Sequence, residues 1–428
     1  MEKFFIYTYG CQMNVHDSEK MLGTLEEAGY AAAESPDNAD LIIFNTCAIR
    51  AKAEQKFFSQ LGRTKMLKRK NPQVRIAVAG CVAQESKDEL RKRAPYVDFV
   101  LGPQNIHHVK NLFHAAKQTL IEENPDISTQ EYEMRRQSSS RAWVSIMYGC
   151  NNFCSYCIVP YTRGREISRP SSSVLSEIRD LKEKGYCEVT LLGQNVNSYR
   201  SDLDFVQLLH EAGTIGLERV RFVTSHPRDL SPSLIRAMAD IPSVCEHLHL
   251  PLQSGSDRVL ERMNRKYTYA AFREKVMMIR ERIPGVAITT DIIVGFPGER
   301  DRDYEDTVRA IEEIGFDGMF GFKYSKRKGT KAFGMEDQIP EDIKTERLNR
   351  LLKIQEDITL RRNKAMEGSV QEILIEGPSE TDPDMLMGRT RTNKIVTILN
   401  DGDREGTLLS VKIHRARHHS LDGRKIDG

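Results

Sequence analysis

Three cysteines stand close together in GCNNFCSYC, residues 149–157: Cys150, Cys154 and Cys157, spaced C-x3-C-x2-C. Thiolates are soft ligands that suit iron–sulfur clusters or zinc. A structural zinc site is usually closed by four ligands, and the next candidates along the chain are Cys187 and His210. A four-iron cluster held by three thiolates instead leaves one iron open to a small molecule. A zinc knuckle is the alternative. Cys11, Cys47 and Cys81 form a second set, each just after a short apolar run: KFFIYTYG, LIIFNT and RIAVAG. No spacing rule covers residues so far apart. Strand ends of an open parallel sheet, however, share one rim where ligands gather. Each cysteine also lies near the start of a helical pattern, whose dipole favours a thiolate. Three thiols on one rim can hold a second cluster; the alternative is three core cysteines. Cys187 and Cys245 precede apolar runs and are read as core.

The elements that must position these residues follow from the pattern. The three runs of the first set are buried parallel strands, and helical patterns begin after each, at DSEKMLGTLEEAGY, AEQKFFSQLGRTKMLKRK and QESKDELRKRA. This predicts an open α/β domain over residues 1–118. Residues 119–140 are polar and aperiodic and read as a linker. From Trp143 the alternation resumes with six strand candidates, AWVSIMYG, CEVTLLGQN, RVRFVTSH, EHLHLPLQ, AITTDIIVGF and DGMFGFKYS, separated by helical patterns. Six units over 141–335 predict a partial, open (β/α)6 barrel of the TIM type, since closure needs eight. A charged helix, 336–365, connects to 366–428, where short strands and Gly, Asp and Asn turns predict a small all-β, OB-like barrel.

A chain of 428 residues is long for one domain and suits two or three. Lys and Arg number 63 against 61 Asp and Glu, a balance that names no partner. The first residues, MEKFFIYTYGCQMN, do not read as a signal peptide, and no segment approaches the ~20 apolar residues that span a bilayer. A cytoplasmic protein is expected, in which clustered cysteines serve as ligands rather than disulfides.

The C-x3-C-x2-C loop after the first barrel strand resembles that of the radical S-adenosylmethionine (radical SAM) superfamily. The resemblance implies that the open iron binds the amino and carboxylate groups of the cofactor's methionine moiety and yields a 5′-deoxyadenosyl radical. It implies that Tyr156 abuts the adenine, that Gln194 and Asn195 in GQN contact the methionine amine, and that Gln253 and Ser254 in LPLQSGS reach the ribose. IIVGFPGE, residues 292–299, is similar to the superfamily's Gly-rich fifth-strand segment. The order of the three domains resembles the methylthiotransferases. YGCQMNVHDSE, FNTCAIR, CNNFCSYCIVPYTRGREISRP and HLHLPLQSGSDRVLERMNRKYT are similar to the tRNA-modifying branch of that family. This implies two [4Fe-4S] clusters with three cysteines each and a C-terminal TRAM domain. It also implies methylthiolation of carbon 2 of N6-isopentenyladenosine in the anticodon stem–loop of tRNA. A flavodoxin or ferredoxin as electron donor, an unspecified sulfur donor and a monomer complete the expectation.

RNA contacts should be basic. FKYSKRKGTKAFG, residues 322–334, offers Lys323, Lys326, Arg327, Lys328 and Lys331 among aromatics; a solvated loop is the alternative. RTKMLKRK, residues 63–70, reads as a solvated helix end. Residues 366–428 contain no Phe, Tyr or Trp, so that barrel should grip phosphates through Lys412, Arg415, Arg417, Arg424 and Lys425 rather than stack bases. Three rivals remain: a methylthiotransferase acting on a ribosomal protein, one acting on threonylcarbamoyladenosine in tRNA, and a non-enzymatic iron–sulfur RNA sensor.

Overall fold

The computed structural model describes residues 1–48, 51–380 and 382–426. Ile49 and Arg50, which close the FNTCAIR stretch, lie outside them, as do Thr381 and the last two residues.

The N-terminal unit runs β1 (Lys3–Tyr9), α1 (Gln12–Glu27), β2 (Ala31–Ala32), β3 (Leu41–Thr46), α2 (Ala51–Lys70), β4 (Arg75–Gly80), α3 (Cys81–Glu85), α4 (Lys87–Arg93), β5 (Phe99–Leu101) and β6 (Gln118–Leu120). The six strands form one parallel sheet in the order β2-β1-β3-β4-β5-β6. Successive side chains leave a strand on opposite faces, and here both faces are covered. Ile42, Phe44, Ile76 and Val78 pack on one side. Leu41, Ile43, Ala77 and Ala79 pack on the other. The strands are therefore apolar throughout, without alternation.

Two expectations change here. The expected linker begins inside β6, which pairs with β5. The irregular chain after it is a packed strap: the Arg135 amide donates to the Glu19 carbonyl, and Arg136 lies 2.7 Å from Glu177 and 3.7 Å from Glu19. A polar strap is kept down by ion pairs and backbone bonds, which periodicity does not register.

The barrel comprises β7 (Arg141–Ser145), β8 (Met147–Tyr148), α5 (Val159–Thr162), β9 (Ile167–Ser168), α6 (Ser171–Glu183), β10 (Glu188–Leu192), α7 (Phe205–Thr214), β11 (Arg219–Phe222), α8 (Pro232–Asp240), β12 (His247–His249), α9 (Asp257–Arg262), α10 (Tyr269–Arg282), β13 (Ala287–Val294), α11 (Asp301–Ile314) and β14 (Gly318–Lys323). Parallel sheets β7-β10-β11 and β12-β13-β14 are joined by a bridge from Val220 to Val244. The six strands form an open arc ending at β7 and β14, as the six β/α units predict. Its largest core lies between strands and outer helices.

Helix α12 (Glu341–Lys364) covers the outer face of β14 and leads to β15 (Val370–Pro378), β16 (Met385–Thr390), β17 (Ile395–Leu399), β18 (Leu408–Ala416) and β19 (Leu421–Lys425). These close into a barrel in the order β15-β16-β17-β19-β18. The small barrel docks at the N-terminal ends of the arc's strands. Arg219 donates to the Arg389 carbonyl at 2.7 Å and pairs with Glu372 at 2.8 Å. Arg221 donates to the carbonyls of Thr390 and Arg391, and Arg391 pairs with Glu246 at 2.8 Å. The turn between β16 and β17 thus seals the floor of the arc. Cys187 sits in this joint, half-exposed, with its thiol 3.4 Å from the Gly406 carbonyl, so it is not a core residue; Cys245 is buried. No helix among the described residues is long and apolar enough to cross a membrane.

Candidate functional site

Cys150, Cys154 and Cys157 lie in the loop that follows β8. Backbone bonds fold the loop back on itself and onto the chain after α9. The Cys150 amide donates to the Gly164 carbonyl, the Cys157 amide to the Cys154 carbonyl, and the Ser155 amide to the Met263 carbonyl. Asn264 donates its side-chain amide to the Phe153 carbonyl at 3.0 Å, and Arg265 lies 3.4 Å from the Cys154 sulfur. Cys150 and Cys154 are buried and Cys157 half-buried. Burial, and then the neighbouring Cys154, hold the Cys157 thiol well above its ordinary range. Burial likewise raises Cys150. No three His, Cys, Asp or Glu side chains among the described residues converge on a single metal-ion position; three neighbouring, covered thiols on one loop suit a larger cluster.

Cys11, Cys47 and Cys81 each leave the same rim of the N-terminal sheet. The register pairs Tyr9 with Thr46 and Thr46 with Gly80, so Cys47 and Cys81 stand level and Cys11 follows one residue further on. The approach is tight enough to need a glycine. A Cβ on Gly10, at φ +153°, would lie 2.5 Å from the Cys47 Cβ. Cys11 caps α1, with Asn14 Oδ1 accepting from its amide and its thiol at 3.3 and 3.4 Å. The Cys47 side chain hydrogen-bonds to Cys11 and, more strongly than burial opposes, draws its thiol down to about 6. Cys81 is raised by burial, against the pull of the Arg163 charge. The helix-start argument therefore accounts for neither: Cys47 dominates at Cys11 and desolvation at Cys81. Arg163 belongs to the barrel, at the end of α5, so the two cysteine sets face each other across the domain boundary.

The strand ends of the arc form a mouth lined with buried polar atoms that have no hydrogen-bond partner among the described residues. They are both amide atoms of Gln194, Oδ1 of Asn195, Oγ of Ser225, Nε2 of His226 and Oε1 of Gln253. Burying such atoms unpaired is costly, so the mouth is built for a polar ligand. Asn195 is oriented by a 2.8 Å bond to Asp229, which leaves its carbonyl oxygen to accept from an amine. His226 Nδ1 accepts from the Arg228 amide, so the other nitrogen carries the hydrogen. Burial lowers this imidazole to about 2, keeping it a neutral donor. Gln253 adopts φ +71°, a strained conformation for a side-chain-bearing residue. It is held by bonds between its amide and the Asp291 carbonyl and between its carbonyl and the Ile293 amide. Ser254, in contrast, is fully buried and its hydroxyl meets Thr307 at 3.2 Å and the Ser256 amide. Tyr156 is half-buried against Val259, Met263 and Phe296, its hydroxyl 3.4 Å from Arg265. Unpaired Ser225 and His226, together with Arg163 and Arg265, were not singled out from the sequence. The sign available was an arginine close to a cysteine or aromatic motif, in YTRGRE and MNRKYT.

The basic loop after β14 divides. Lys326 and Lys328 are exposed. Lys323 pairs with Glu341. Arg327 pairs with Glu54 of α2 at 2.7 Å and is mostly covered, so it clasps the N-terminal unit to the barrel instead of standing ready for phosphate. On the small barrel, Lys412, Arg415 and Arg424 are exposed without an ion pair among the described residues. Arg417 pairs with Asp422 and Lys425 with Asp403, each at 2.8 Å.

Three family models match this chain: "Uncharacterized protein family UPF0004" over residues 3–102, "Radical SAM superfamily" over 144–311 and "TRAM domain" over 364–426. A tRNA-2-methylthio-N(6)-dimethylallyladenosine synthase from Thermodesulfovibrio yellowstonii is 50% identical over 423 residues, 98% of this chain and 97% of the relative. Proteins of the same name from Clostridium botulinum and a Thermoanaerobacter species are 48% and 46% identical, each over 99% of this chain and over 97% and 93% of the relative. Among solved structures, the radical S-adenosylmethionine methyltransferase TsrM from Kitasatospora setae, with cobalamin and a [4Fe-4S] cluster bound, has a TM-score of 0.54 at 13% identity. It covers 78% of this chain and 77% of its own. At that identity the likeness is one of fold.

Proposed function

The chain belongs to the tRNA-2-methylthio-N(6)-dimethylallyladenosine synthases, and from that membership we propose how its six cysteines divide the work. The enzyme methylthiolates carbon 2 of N6-isopentenyladenosine in tRNA by radical SAM chemistry, with an iron–sulfur cluster and S-adenosylmethionine. Threonylcarbamoyladenosine and a ribosomal protein are not the substrates named for this family.

In our reading there are two [4Fe-4S] clusters. Cys150, Cys154 and Cys157 would hold the one beside the cofactor; Cys11, Cys47 and Cys81 would hold the other. Such groups supply a carbon radical strong enough for an unactivated adenine C–H bond, and sulfur to replace the hydrogen. The protein's share is placement. Gln194, Asn195 and Gln253, with His226 and Ser225, offer unpaired hydrogen bonds to the cofactor's amine, carboxylate and ribose. Tyr156 closes the site beside the cysteine loop, and Ser254 fixes the turn after Gln253 through Thr307 and the Ser256 amide. The observation that carries the reading is the position of Arg163. It follows the loop of one cysteine set and pairs at 2.8 Å with Asp17 on the helix that Cys11 caps, and its charge acts on Cys81, which supports a reading in which both sets line one mouth.

RNA is gripped through Lys326 and Lys328 near the mouth and Lys412 and Arg415 on the small barrel, with Lys323, Arg327 and Arg417 already held by carboxylates. The same reading has a monomer acting in the cytoplasm on the anticodon stem–loop, with a flavodoxin or ferredoxin as reductant. The division is tested by removing each cysteine set in turn and measuring cofactor cleavage and sulfur transfer separately.

A further inference from the structure

The inner face of the arc carries chemistry that cofactor placement does not use. On β12, β13 and β14, Leu248, Ile288 and Ile292 face the outer helices, so alternation turns His249, Thr289, Asp291 and Phe320 into the lumen. The register sets them side by side: His249 beside Thr289, and Asp291 beside Phe320. Next along β14, Gly321 faces the other way, against Leu348 and Leu352 of α12. His249 Nδ1 lies 3.0 Å from the Thr289 hydroxyl and its Nε2 3.4 Å from Asp291. Its ring meets that of Phe320 edge to face at 5.9 Å. Phe320 is 55% exposed although it points inward. An apolar ring left open inside a barrel, beside a carboxylate, is an unusual arrangement for a surface meant only to pack. The wall is continuous with the mouth, since Asp291 accepts the Gln253 amide through its backbone carbonyl.

We infer that this wall is the pocket for the base to be modified, an adenine whose N6 carries a short branched hydrocarbon. This rests on the function proposed above and names the residues that select its substrate. The Asp291 carboxyl accepts the N–H that an N6-alkyl adenine retains. Phe320 covers the hydrocarbon. The wall also explains what is refused. The lumen's arginines are already engaged: Arg221 with Glu188 and the carbonyls of residues 390 and 391, Arg219 with Glu372 and the carbonyl of Arg389, and Arg141 with Glu376. An N6 substituent ending in a carboxylate would meet Asp291 with none of these three guanidiniums free to offset the repulsion.

The test compares anticodon stem–loop RNAs that differ only at the target adenosine, bearing isopentenyl, threonylcarbamoyl or no N6 group. Each is titrated against full-length, cluster-loaded protein by fluorescence anisotropy. Burial of five carbons caps the preference for isopentenyl over bare adenosine at about a thousand-fold. Phe320→Ala should cut that preference about ten-fold, while Phe320→Leu, which restores apolar surface, should keep it within about three-fold. Asp291→Asn should narrow the gap between isopentenyl and threonylcarbamoyl RNA by about ten-fold. Phe320 is exposed and Asp291 partly so, positions where substitution is a mild change to the fold, and a thermal melt checks each variant. Unchanged preferences in Phe320→Ala and Asp291→Asn, with a wild type that does methylthiolate the isopentenyl loop, would overturn the pocket alone. A wild type that leaves that loop unmodified would overturn the proposed function beneath it.

Discussion

Arg163, in the cysteine-bearing segment of the barrel, meets Asp17 of the N-terminal unit at 2.8 Å, and both are buried. The pair is the hinge pin of the site. The carbonyl of the next residue, Gly164, accepts the Cys150 amide, while Asp17 lies on the helix that Cys11 caps.

Removing one member of that pair should be costly. Asp17→Ala leaves a buried guanidinium without its carboxylate, and loss of one partner of a buried ion pair typically costs about 3–5 kcal/mol. Guanidinium chloride unfolding of the metal-free protein measures it. Removing both charges, as Asp17→Ala with Arg163→Met, should cost clearly less than the sum of the two single changes. Additive losses would show that the two side chains do not depend on each other.

Iron content separates the two cysteine sets. Anaerobically reconstituted protein should hold about eight irons and the Cys150, Cys154, Cys157→Ala variant about four. A triple variant that keeps all its iron would refute the ligand assignment.

Chemistry should separate them too. The Cys150, Cys154, Cys157→Ala protein should form no 5′-deoxyadenosine. The Cys11, Cys47, Cys81→Ala protein should still form it but transfer no sulfur. Chromatography of the nucleoside products reads both. Loss of cleavage in the second variant, with iron retained at the first site, contradicts the division.

The small barrel should act on RNA through charge. Neutralising Lys412, Arg415 or Arg424 should lower the salt slope of tRNA binding by roughly one unit for each phosphate that the side chain neutralised. Deleting the barrel is a poor test, because Arg219 and Arg221 would be stripped of the carbonyls and carboxylate they now bond. Equal slopes in wild type and the point variants would move the electrostatic anchor to Lys326 and Lys328.

Much of this was legible in order along the chain. LIIFNT and RIAVAG are strands whose residues are buried on both faces, KFFIYTYG is a half-buried one beside them, and the cysteines after them share a rim because the sheet is parallel. The six-unit arc follows from the same periodicity. What periodicity could not show is where polar residues are buried. Asn14, His16, Asp17, Ser18, Glu19 and Lys20 are all buried in α1; Asp17, Glu19 and Lys20 find partners beyond the N-terminal unit, in Arg163, Arg136 and Tyr148. The helix itself starts at Gln12, ahead of the expected DSEK, because Cys11 and Asn14 supply its cap. Arg327 and Arg417 looked available for RNA by charge alone, and only the fold reveals Glu54 and Asp422 beside them. Ser254 looked like a ribose contact until Thr307, 53 residues on, took its hydroxyl.

The most direct test is mass spectrometry of nucleosides from the RNA product. Cluster-loaded protein, S-adenosylmethionine, a reductant and an anticodon stem–loop bearing N6-isopentenyladenosine are combined without oxygen. The account predicts 2-methylthio-N6-isopentenyladenosine, absent when Cys11, Cys47 and Cys81 are replaced. Unmodified isopentenyladenosine alongside abundant 5′-deoxyadenosine from the intact, fully loaded protein would contradict it.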